Sequence, residues 1–262
     1  MMLSSALEPY RDANSLIHRL DARLKLLATL AFVLAVTATP ARAWQALVLL
    51  GIVGWAAVLA SGIPVLYALS RSSIALPFAV IAAISLPFTQ AGEVVWSTHL
   101  FAWTLTVTEQ GLWLFLSLVV KAWLSVVVSA LLVATTPFPS LLHAMRRLHI
   151  PSILVTILSF TYRYLFVLVE EALRLHTARQ ARSAGPGGTV LWRAKVLGGM
   201  IGSLFIRSYE RSERIYQAML SRGYAGQLQT MTQLTWQARD TWLGIGWGAA
   251  LVAAVVLGSV AI

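Results

Sequence analysis

This 262-residue chain contains a series of apolar runs, each about long enough to cross a lipid bilayer. No other feature of the sequence constrains the fold as strongly. The hydrocarbon core of a membrane is roughly 30 Å thick, and a helix needs about 17–25 residues to cross it. The chain is 58% hydrophobic and 11% charged, whereas soluble domains are about a quarter charged. We therefore predict an all-α membrane protein with about five transmembrane helices and amphipathic cytoplasmic helices. The predicted spans are residues 24–39, 43–60, 73–88 (interrupted by Pro77 and Pro87), 111–134 and 241–261.

The distribution of the basic residues predicts the orientation of these spans. Of the 20 Lys and Arg residues, four lie in 1–25, thirteen in 135–240 and none in 89–110. Because loops rich in Lys and Arg stay in the cytoplasm, we predict a multi-pass protein of the cytoplasmic membrane with its N-terminus inside and its C-terminus outside. The same placement argues against nucleic acid as a partner. The predicted domains are 1–134 with the first four spans, 135–240 with cytoplasmic helices, and 241–262 with the last span.

One further apolar segment, residues 151–169, does not fit this arrangement as a span. If it crossed the membrane, most of the basic residues that come after it would lie outside, and Arg163 would enter the bilayer at a cost of roughly 2.5 kcal/mol or more. We interpret it as the start of a long helix that lies half-buried against the spans or at the membrane interface. This helix continues through "EEALRLHTARQARS" and ends at "SAGPGG", because that sequence supplies both a left-handed cap and a break.

Residues 202–224, "GSLFIRSYERSERIYQAMLSRGY", have the pattern of an amphipathic helix. Apolar side chains fall on one side of the helix and charged side chains on the other. We predict that the helix ends at Gly223 and that Glu210 and Arg214 form an i,i+4 ion pair. The apolar side contains Leu204, Phe205, Tyr209, Ile215, Tyr216, Met219 and Leu220. On the charged side, the residues expected to support contact with another protein are Arg207, Glu210, Arg211 and Arg214.

The sequence contains no motif for catalysis or for a bound cofactor. It has no cysteine, and none of its lysines ends a glycine-rich phosphate loop. The five histidines are scattered, and the ten acidic residues form no pair suited to acid–base chemistry. We therefore predict that the chain is not an enzyme and holds no metal ion. A membrane enzyme acting on lipid head groups and a self-contained channel or secondary carrier remain as alternatives.

Two short stretches, "ARQARSAG" and "AMLSRGYAG", place an arginine at the end of a predicted helix, with a small residue before it and a glycine soon after. These arginines are Arg182 and Arg222. The negative end of the helix dipole favours a guanidinium there, and its N–H donors suit a carboxylate or backbone carbonyls on a partner. On local physics alone, contact with anionic lipid explains the same pattern more simply.

Three segments make the chain similar to a known family. They are "LDARLKLLATLAFVLAV" at 20–36, "SFTYRYLFVLVEEALRLHTARQARS" at 159–183, and the amphipathic segment at 202–224. In this order they resemble the transmembrane T component of energy-coupling factor (ECF) transporters, in particular the cobalt-type CbiQ family. The last two segments are specific to that family, and the first is a weaker signature.

The resemblance implies a role for the two arginine-containing stretches. In that family a pair of Ala-Arg-Gly-like tripeptides docks onto two cytosolic ABC-type ATPase subunits. The resemblance further implies a metal-binding S component, a small accessory membrane subunit and cobalt as the transported ion, with ATP and the metal ion bound by these partners. Nickel or a vitamin such as biotin is the alternative substrate. The matching tripeptides are Ala181-Arg182-Ser183 and Ser221-Arg222-Gly223, which depart from the family pattern at Ser183 and Ser221.

Three other polar residues lie in or beside the predicted apolar segments. Lys121, near the middle of its span, leaves open a functional role, snorkelling to the membrane surface and burial against a partner. Arg163 is predicted to pair with Glu170 or with a span carbonyl. Asp21 is predicted to cap the N-terminus of the first span.

Overall fold

The computed structural model describes residues 10–13, 15–100, 103–182, 188–226 and 236–260. Within them the chain is almost entirely helical, so the prediction of an all-α membrane protein is confirmed, with one two-stranded sheet as an addition. The helices are α1 (Ala22–Ala38), α2 (Trp44–Ala60), α3 (Val65–Ser73), α4 (Leu76–Ala83), α5 (Leu86–Thr89), α6 (Glu109–Thr135), α7 (Phe138–Arg147), α8 (Ser152–Arg182), α9 (Val190–Leu220) and α10 (Ala238–Val260). The strands are β1 (Val94–Leu100) and β2 (Trp103–Thr108).

Each predicted span coincides with a helix or with a series of short helices. Helices α1 and α2 each contain 17 residues, at the lower limit for crossing a membrane. Helix α8 also qualifies as a span by length and composition, although the charge argument disfavours that assignment. The helical segments of the described chain that are long and apolar enough to cross a membrane are Val65–Thr89, Glu109–Thr135, Ser152–Arg182 and Ala238–Ser259.

The third predicted span is a broken helix, as its two prolines indicated. Pro77 lies in the first turn of α4 and Pro87 in the first turn of α5, where the missing N–H of proline leaves no hydrogen bond unmade. The helical segment starts at Val65, earlier than the predicted residue 73. Arg71 and the serines around it lower the hydropathy of α3, and this explains the difference.

The segment between α5 and α6 contains an antiparallel hairpin that was not predicted from the sequence. Val94 lies opposite Thr108 and Leu100 opposite Trp103, with an irregularity in register after Val94. The strands "VVWSTHL" and "WTLTVT" are rich in β-branched and aromatic residues, which is the signal that could have identified them.

The start of α6 packs closely against the backbone of α5. The hydroxyl of Thr108 accepts a hydrogen bond from the N–H of Gly111 at 3.3 Å and donates one to the carbonyl of Gln90 at 3.0 Å. A Cβ atom at Gly111 would lie 2.6 Å from the carbonyl oxygen of Leu86. Only glycine therefore fits where α6 begins.

The chain divides into two compact units. One contains α1 to α6, most of α7, and α10, and the other contains α8 and α9. The division of the chain by membrane side, into 1–134, 135–240 and 241–262, stays a prediction. The larger unit has a buried apolar cluster between α1, α2, α6 and α10, formed by Phe32, Ala35, Val36, Leu50, Leu124, Val128, Leu251 and Ala254.

Helices α8 and α9 each contain 31 residues. At a rise of 1.5 Å per residue, each is about 46 Å long. The prediction of one long helix that begins in 151–169 is confirmed, because α8 continues without interruption to Arg182.

Candidate functional site

The end of α9 presents Arg222 on a tightly hydrogen-bonded turn. Gly223 has a φ of +77°, in the left-handed region that glycine adopts without strain. The N–H of Tyr224 donates to the carbonyl of Met219, and that of Gly223 to the carbonyl of Leu220, both at 3.0 Å. This is the Schellman arrangement of a helix C-terminus, so the prediction that the helix ends at Gly223 is confirmed.

Arg222 lies inside this turn and its side chain is exposed. The hydrogen bonds on either side of it determine the backbone direction at the helix end. The carbonyls of the last turn place partial negative charge beside the guanidinium, which favours the cation there. The end of α9 is thus a rigid, exposed position for one arginine.

The end of α8 presents Arg182 in its last helical turn, together with Arg179. Ala181 and Arg182 are exposed. The helix dipole favours this guanidinium too, because it lies at the negative, C-terminal end of a helix of 31 residues. Ser183, the third residue of the predicted docking tripeptide, lies outside the described residues.

Helices α8 and α9 run antiparallel. Arg207 Nη1 donates to Glu171 Oε1 at 2.9 Å and joins the middle parts of the two helices. An apolar groove of about 580 Å³ between them is lined by Ile153 near the start of α8 and by Met219 near the end of α9. Arg222 lies between Met219 and Tyr224, which line the same groove as Ile153, so it is near the start of α8. Arg182 is 29 residues beyond Ile153, at the other end of α8. The two arginine ends are therefore about 40 Å apart along the axis of α8.

The groove corrects two predictions about the polar side of α9. Arg211 lines the groove, although the helical pattern predicted it on the opposite side of the helix. Glu210 and Arg214, both in the described part of the chain, do not form the predicted i,i+4 ion pair; Arg207, on the same helix, forms an ion pair with Glu171. The remaining groove residues are Thr156, Phe160, Thr161, Tyr164, Leu168, Ser208, Ser212, Ile215, Tyr216, Tyr224 and Gly226.

Many apolar side chains of α8 and α9 are exposed among the residues that the structure describes. Phe205 is 69% exposed and Ile201 66%, and no residue of α9 is buried. On α8, only Val155 and Thr156 are buried. Large apolar side chains exposed over two 31-residue helices indicate contact with lipid or with another protein.

Contacts were predicted for Asp21 and Arg163, and the structure confirms one of the two predictions. Asp21 accepts a hydrogen bond from the N–H of Arg23 at 2.8 Å, so its role as the N-cap of α1 is confirmed. Of the two partners predicted for Arg163, Glu170 is wrong, because it pairs with Arg174 four residues further along the helix, at 2.6 Å. This shorter spacing places the two side chains on adjacent turns.

Lys121 has an arrangement that was not among those predicted from the sequence. Its Nζ donates a hydrogen bond to the backbone carbonyl of Thr39, at the C-terminal end of α1. The cation is thus paired with a carbonyl inside the larger unit. Because the acceptor is a backbone atom, no residue type in the sequence signals it.

Metal-ligating side chains are not grouped in the part of the chain that the structure describes. There, no three His, Asp or Glu residues lie close enough together to hold a metal ion. The site described above therefore consists of two arginines, the helices that carry them and an apolar groove. These features suit contacts with other proteins.

Comparison with known proteins gives a consistent result over most of the chain. Residues 13–234 match the CbiQ family, described as cobalt transport protein. The energy-coupling factor transporter transmembrane protein EcfT of Lactococcus lactis is 31% identical over 89% of this chain and 90% of its own. The EcfT of Brevibacillus brevis is 29% identical over 98% of both chains. An uncharacterised protein of Methanocaldococcus jannaschii is 29% identical over 85% of this chain and 76% of its own.

The family match includes both long helices and both arginine ends. The resemblance stated from the sequence is confirmed, and so is the prediction that the chain is not an enzyme, since proteins of this kind are non-catalytic components of transporters. The chain belongs to the CbiQ family, the transmembrane components of energy-coupling factor transporters.

Proposed function

We propose that this chain is the coupling subunit of an ECF-type importer for cobalt ions. In this role it transmits ATP-driven motion from two cytosolic ABC-type ATPase subunits to a metal-binding membrane subunit. The observation that carries the proposal is the antiparallel pair of α8 and α9, with one exposed arginine at each far end. Cobalt is the ion named in the description of the family.

Each arginine end is proposed to dock on a different ATPase subunit. A separation of about 40 Å along α8 gives room for one globular subunit at each end. The guanidinium of Arg182 or Arg222 would donate to carboxylates or carbonyls in a groove of its ATPase. Arg207 supports this geometry through its ion pair with Glu171, which joins α8 to α9. The proposed docking residues are Ala181, Arg182, Ser183, Ser221, Arg222 and Gly223, flanked by Glu210, Arg211 and Arg214.

Motion would reach the membrane through the same two helices. ATPase subunits that approach and separate during hydrolysis would move the two arginine ends relative to each other. A helix of about 46 Å transmits such a displacement along its whole length because its backbone hydrogen bonds lie along its axis. The ion pair and groove between α8 and α9 are where the relative movement would be absorbed.

The uncovered apolar faces are proposed to contact the substrate-binding S component, with a small accessory membrane subunit beside it. Residues such as Phe205 and Ile201 are exposed in this chain, and their burial against a partner would stabilise the complex. The transported ion would be held by the S component and ATP by the ATPases. The lack of a grouped set of ligating side chains in the described residues supports this assignment.

The proposed topology has the N-terminus in the cytoplasm and the C-terminus outside, with α8 and α9 on the cytoplasmic side of the inner membrane. It places the segments rich in Lys and Arg on the cytoplasmic side. Helix α8 is apolar enough to cross. Crossing would, however, put Arg163 among lipid tails and Arg222 on the side away from ATP.

Nickel or a vitamin such as biotin is the second candidate substrate. The same coupling parts would serve either, because the proposal places the substrate site on another subunit. Uptake measured with Co²⁺, Ni²⁺ and biotin in separate assays of the assembled transporter distinguishes these candidates. A lipid-modifying enzyme is no longer a candidate, since the family is non-catalytic.

Charge reversal at the two arginines tests the proposal. The R182E/R222E variant should bind the ATPase subunits about 30-fold or more weakly, because a buried interface arginine is commonly worth about 2 kcal/mol or more. The membrane fold should remain intact, since both side chains are exposed. Co-purification with the ATPases and uptake by the complete transporter in liposomes are the two measurements.

R42E is the matched control. Arg42 is exposed and lies between α1 and α2, in a loop that the proposed topology puts outside. It undergoes the same charge reversal but should leave ATPase binding unchanged. Normal assembly and uptake by R182E/R222E would show that these arginines are not the docking sites.

A further inference from the structure

Helices α1 and α6 run antiparallel, and a lysine at each end of the pair binds the C-terminal end of the other helix. Lys25, in the first turn of α1, donates to the carbonyl of Thr135, the last residue of α6, at 3.1 Å. Lys121, within α6, donates to the carbonyl of Thr39, which is next after the last residue of α1. We refer to these two hydrogen bonds as the lysine clasps.

The two clasps have the same construction. In each helix the lysine and the threonine are 14 residues apart. Both threonine hydroxyls donate to the carbonyl four residues earlier, at 2.8 Å, and both threonine carbonyls accept from a lysine. Both threonines are buried. The clasps are therefore about 21 Å apart along the helices, on either side of the apolar cluster.

Elementary electrostatics explains why a lysine is favoured at each position. The last four carbonyls of a helix have no partner within the helix and carry partial negative charge. In an apolar surrounding, where water does not reach them, an ammonium group satisfies such a carbonyl and is itself satisfied. Each clasp thus closes the open end of one helix with a cation from the other.

The two clasps hold helix ends that are followed by different segments of the chain. After Thr39 the chain turns directly into α2. After Thr135 it passes into α7 and then into α8, the first of the two arginine-ended helices. Lys25 also donates to the carbonyl of His18 at 3.3 Å, and the N–H of Arg11 donates to the carbonyl of Ala134 at 3.0 Å. The N-terminal segment therefore joins Lys25 in holding the end of α6.

We infer that Lys25 is a positioning residue for energy coupling: it anchors the end of α6 so that force arriving through α7 and α8 moves the helix as a whole. Without the clasp, the last turn of α6 would absorb the displacement by unwinding, because its carbonyls would have lost their partner. Lys121 makes an equivalent bond at the other end of the pair, where the chain does not lead to α8. This inference rests on the coupling function proposed above.

The comparison of K25M with K121M tests this inference in the complete transporter. Each variant removes one clasp and keeps a side chain of similar length. The measurement is Co²⁺ taken up per ATP hydrolysed by the assembled complex in liposomes. Loss of a hydrogen bond to a charged group shifts the balance between the anchored and the unwound end of α6 by about tenfold or more. K25M should therefore lower the uptake ratio clearly, by up to about tenfold. K121M should leave the ratio within about twofold of the wild type, and K25R should restore it, since arginine keeps the cation and its donors.

Thermal unfolding of both variants separates coupling from stability. K25M loses hydrogen bonds to the carbonyls of Thr135 and His18, and K121M loses one to the carbonyl of Thr39, so both variants should lower the Tm, K25M by more. An equal fall in the uptake ratio for the two variants, or no fall for K25M, would overturn the inference. Should K25M not be recovered folded, K25Q takes its place with the same expected ratio.

Co-purification distinguishes failure of this inference from failure of the proposed function. The lysine variants should retain both ATPase subunits, because neither clasp includes a docking residue. If R182E/R222E also retains them, the proposed docking is wrong. If R182E/R222E loses them and K25M still couples normally, only the role of Lys25 is wrong.

Discussion

Replacement of Gly223 by alanine gives a sensitive test of whether the end of α9 is a docking surface. At a φ of +77°, alanine suffers a clash between its Cβ and the backbone, which costs roughly 1–2 kcal/mol. A Cβ at this position would meet no other atom within 4 Å, so the whole penalty is local backbone strain. The substitution should therefore loosen the turn that holds Arg222 and leave the packing elsewhere unchanged.

The expected effect on docking comes directly from this penalty. If the ATPase recognises Arg222 on the turn as it stands, about 1–2 kcal/mol of strain weakens binding about 5- to 30-fold. Titration of purified ATPase subunits against the chain in lipid nanodiscs measures this change as a ratio of Kd values. G223N should bind within about threefold of the wild type, because asparagine tolerates the left-handed conformation better than other residues with a Cβ.

Gly226 supplies the matched control. It has a φ of +83°, and a Cβ atom at this position would also meet no atom within 4 Å, so G226A introduces the same strain three residues after Gly223. G226A should bind the ATPases like the wild type. Wild-type binding by G223A, or equal weakening by G226A, would refute the argument that the turn presents Arg222.

Three further substitutions test the fold around the site by thermal unfolding. G111A should lower the Tm by about 5–10 °C, because its Cβ would meet backbone atoms of α5. G51A is the control: its Cβ would lie 3.8 Å from its nearest neighbour, and the Tm should change little. E171Q removes the ion pair with Arg207, and since those side chains are 19% and 57% exposed, the Tm should fall by no more than about 3 °C. A larger fall would mean that the pair holds α8 and α9 together more strongly than a surface ion pair. D21A should lower the Tm by about 2–4 °C through loss of the helix cap, whereas D21N should not; equal losses in both would contradict the capping role.

Local chemistry made part of this structure predictable. Gly223 ends α9 because glycine, which has no Cβ atom, adopts a left-handed turn without strain. Pro77 and Pro87 break the third span because proline lacks an N–H. Asp21 caps α1 through a bond to a backbone N–H two residues away. In each case the cause and the effect lie within a few residues of each other.

Contacts between distant segments were not predictable from the pattern of residues. Lys25 and Lys121 bind backbone carbonyls on another helix, and every residue type offers such a carbonyl. The placement of Arg211 was wrong because it was assigned to the charged side by its residue type, although seven residues after Leu204 it lies only about 20° from that residue around the helix. Its aliphatic stem can cover apolar surface while the guanidinium reaches polar groups. The hairpin was missed because hydropathy responds to apolar content and not to strand-forming side chains.

The antiparallel arrangement of α8 and α9 has a consequence for the symmetry of the assembly. Two helices that run in opposite directions are related by an approximate dyad perpendicular to their axes. Arg182 and Arg222 each end their helix, so this dyad exchanges them. Under the proposed docking, a single polypeptide without sequence duplication therefore offers one arginine end to each half of a C2-symmetric dimer. Two identical copies of one ATPase would satisfy the proposed docking as well as two different ones.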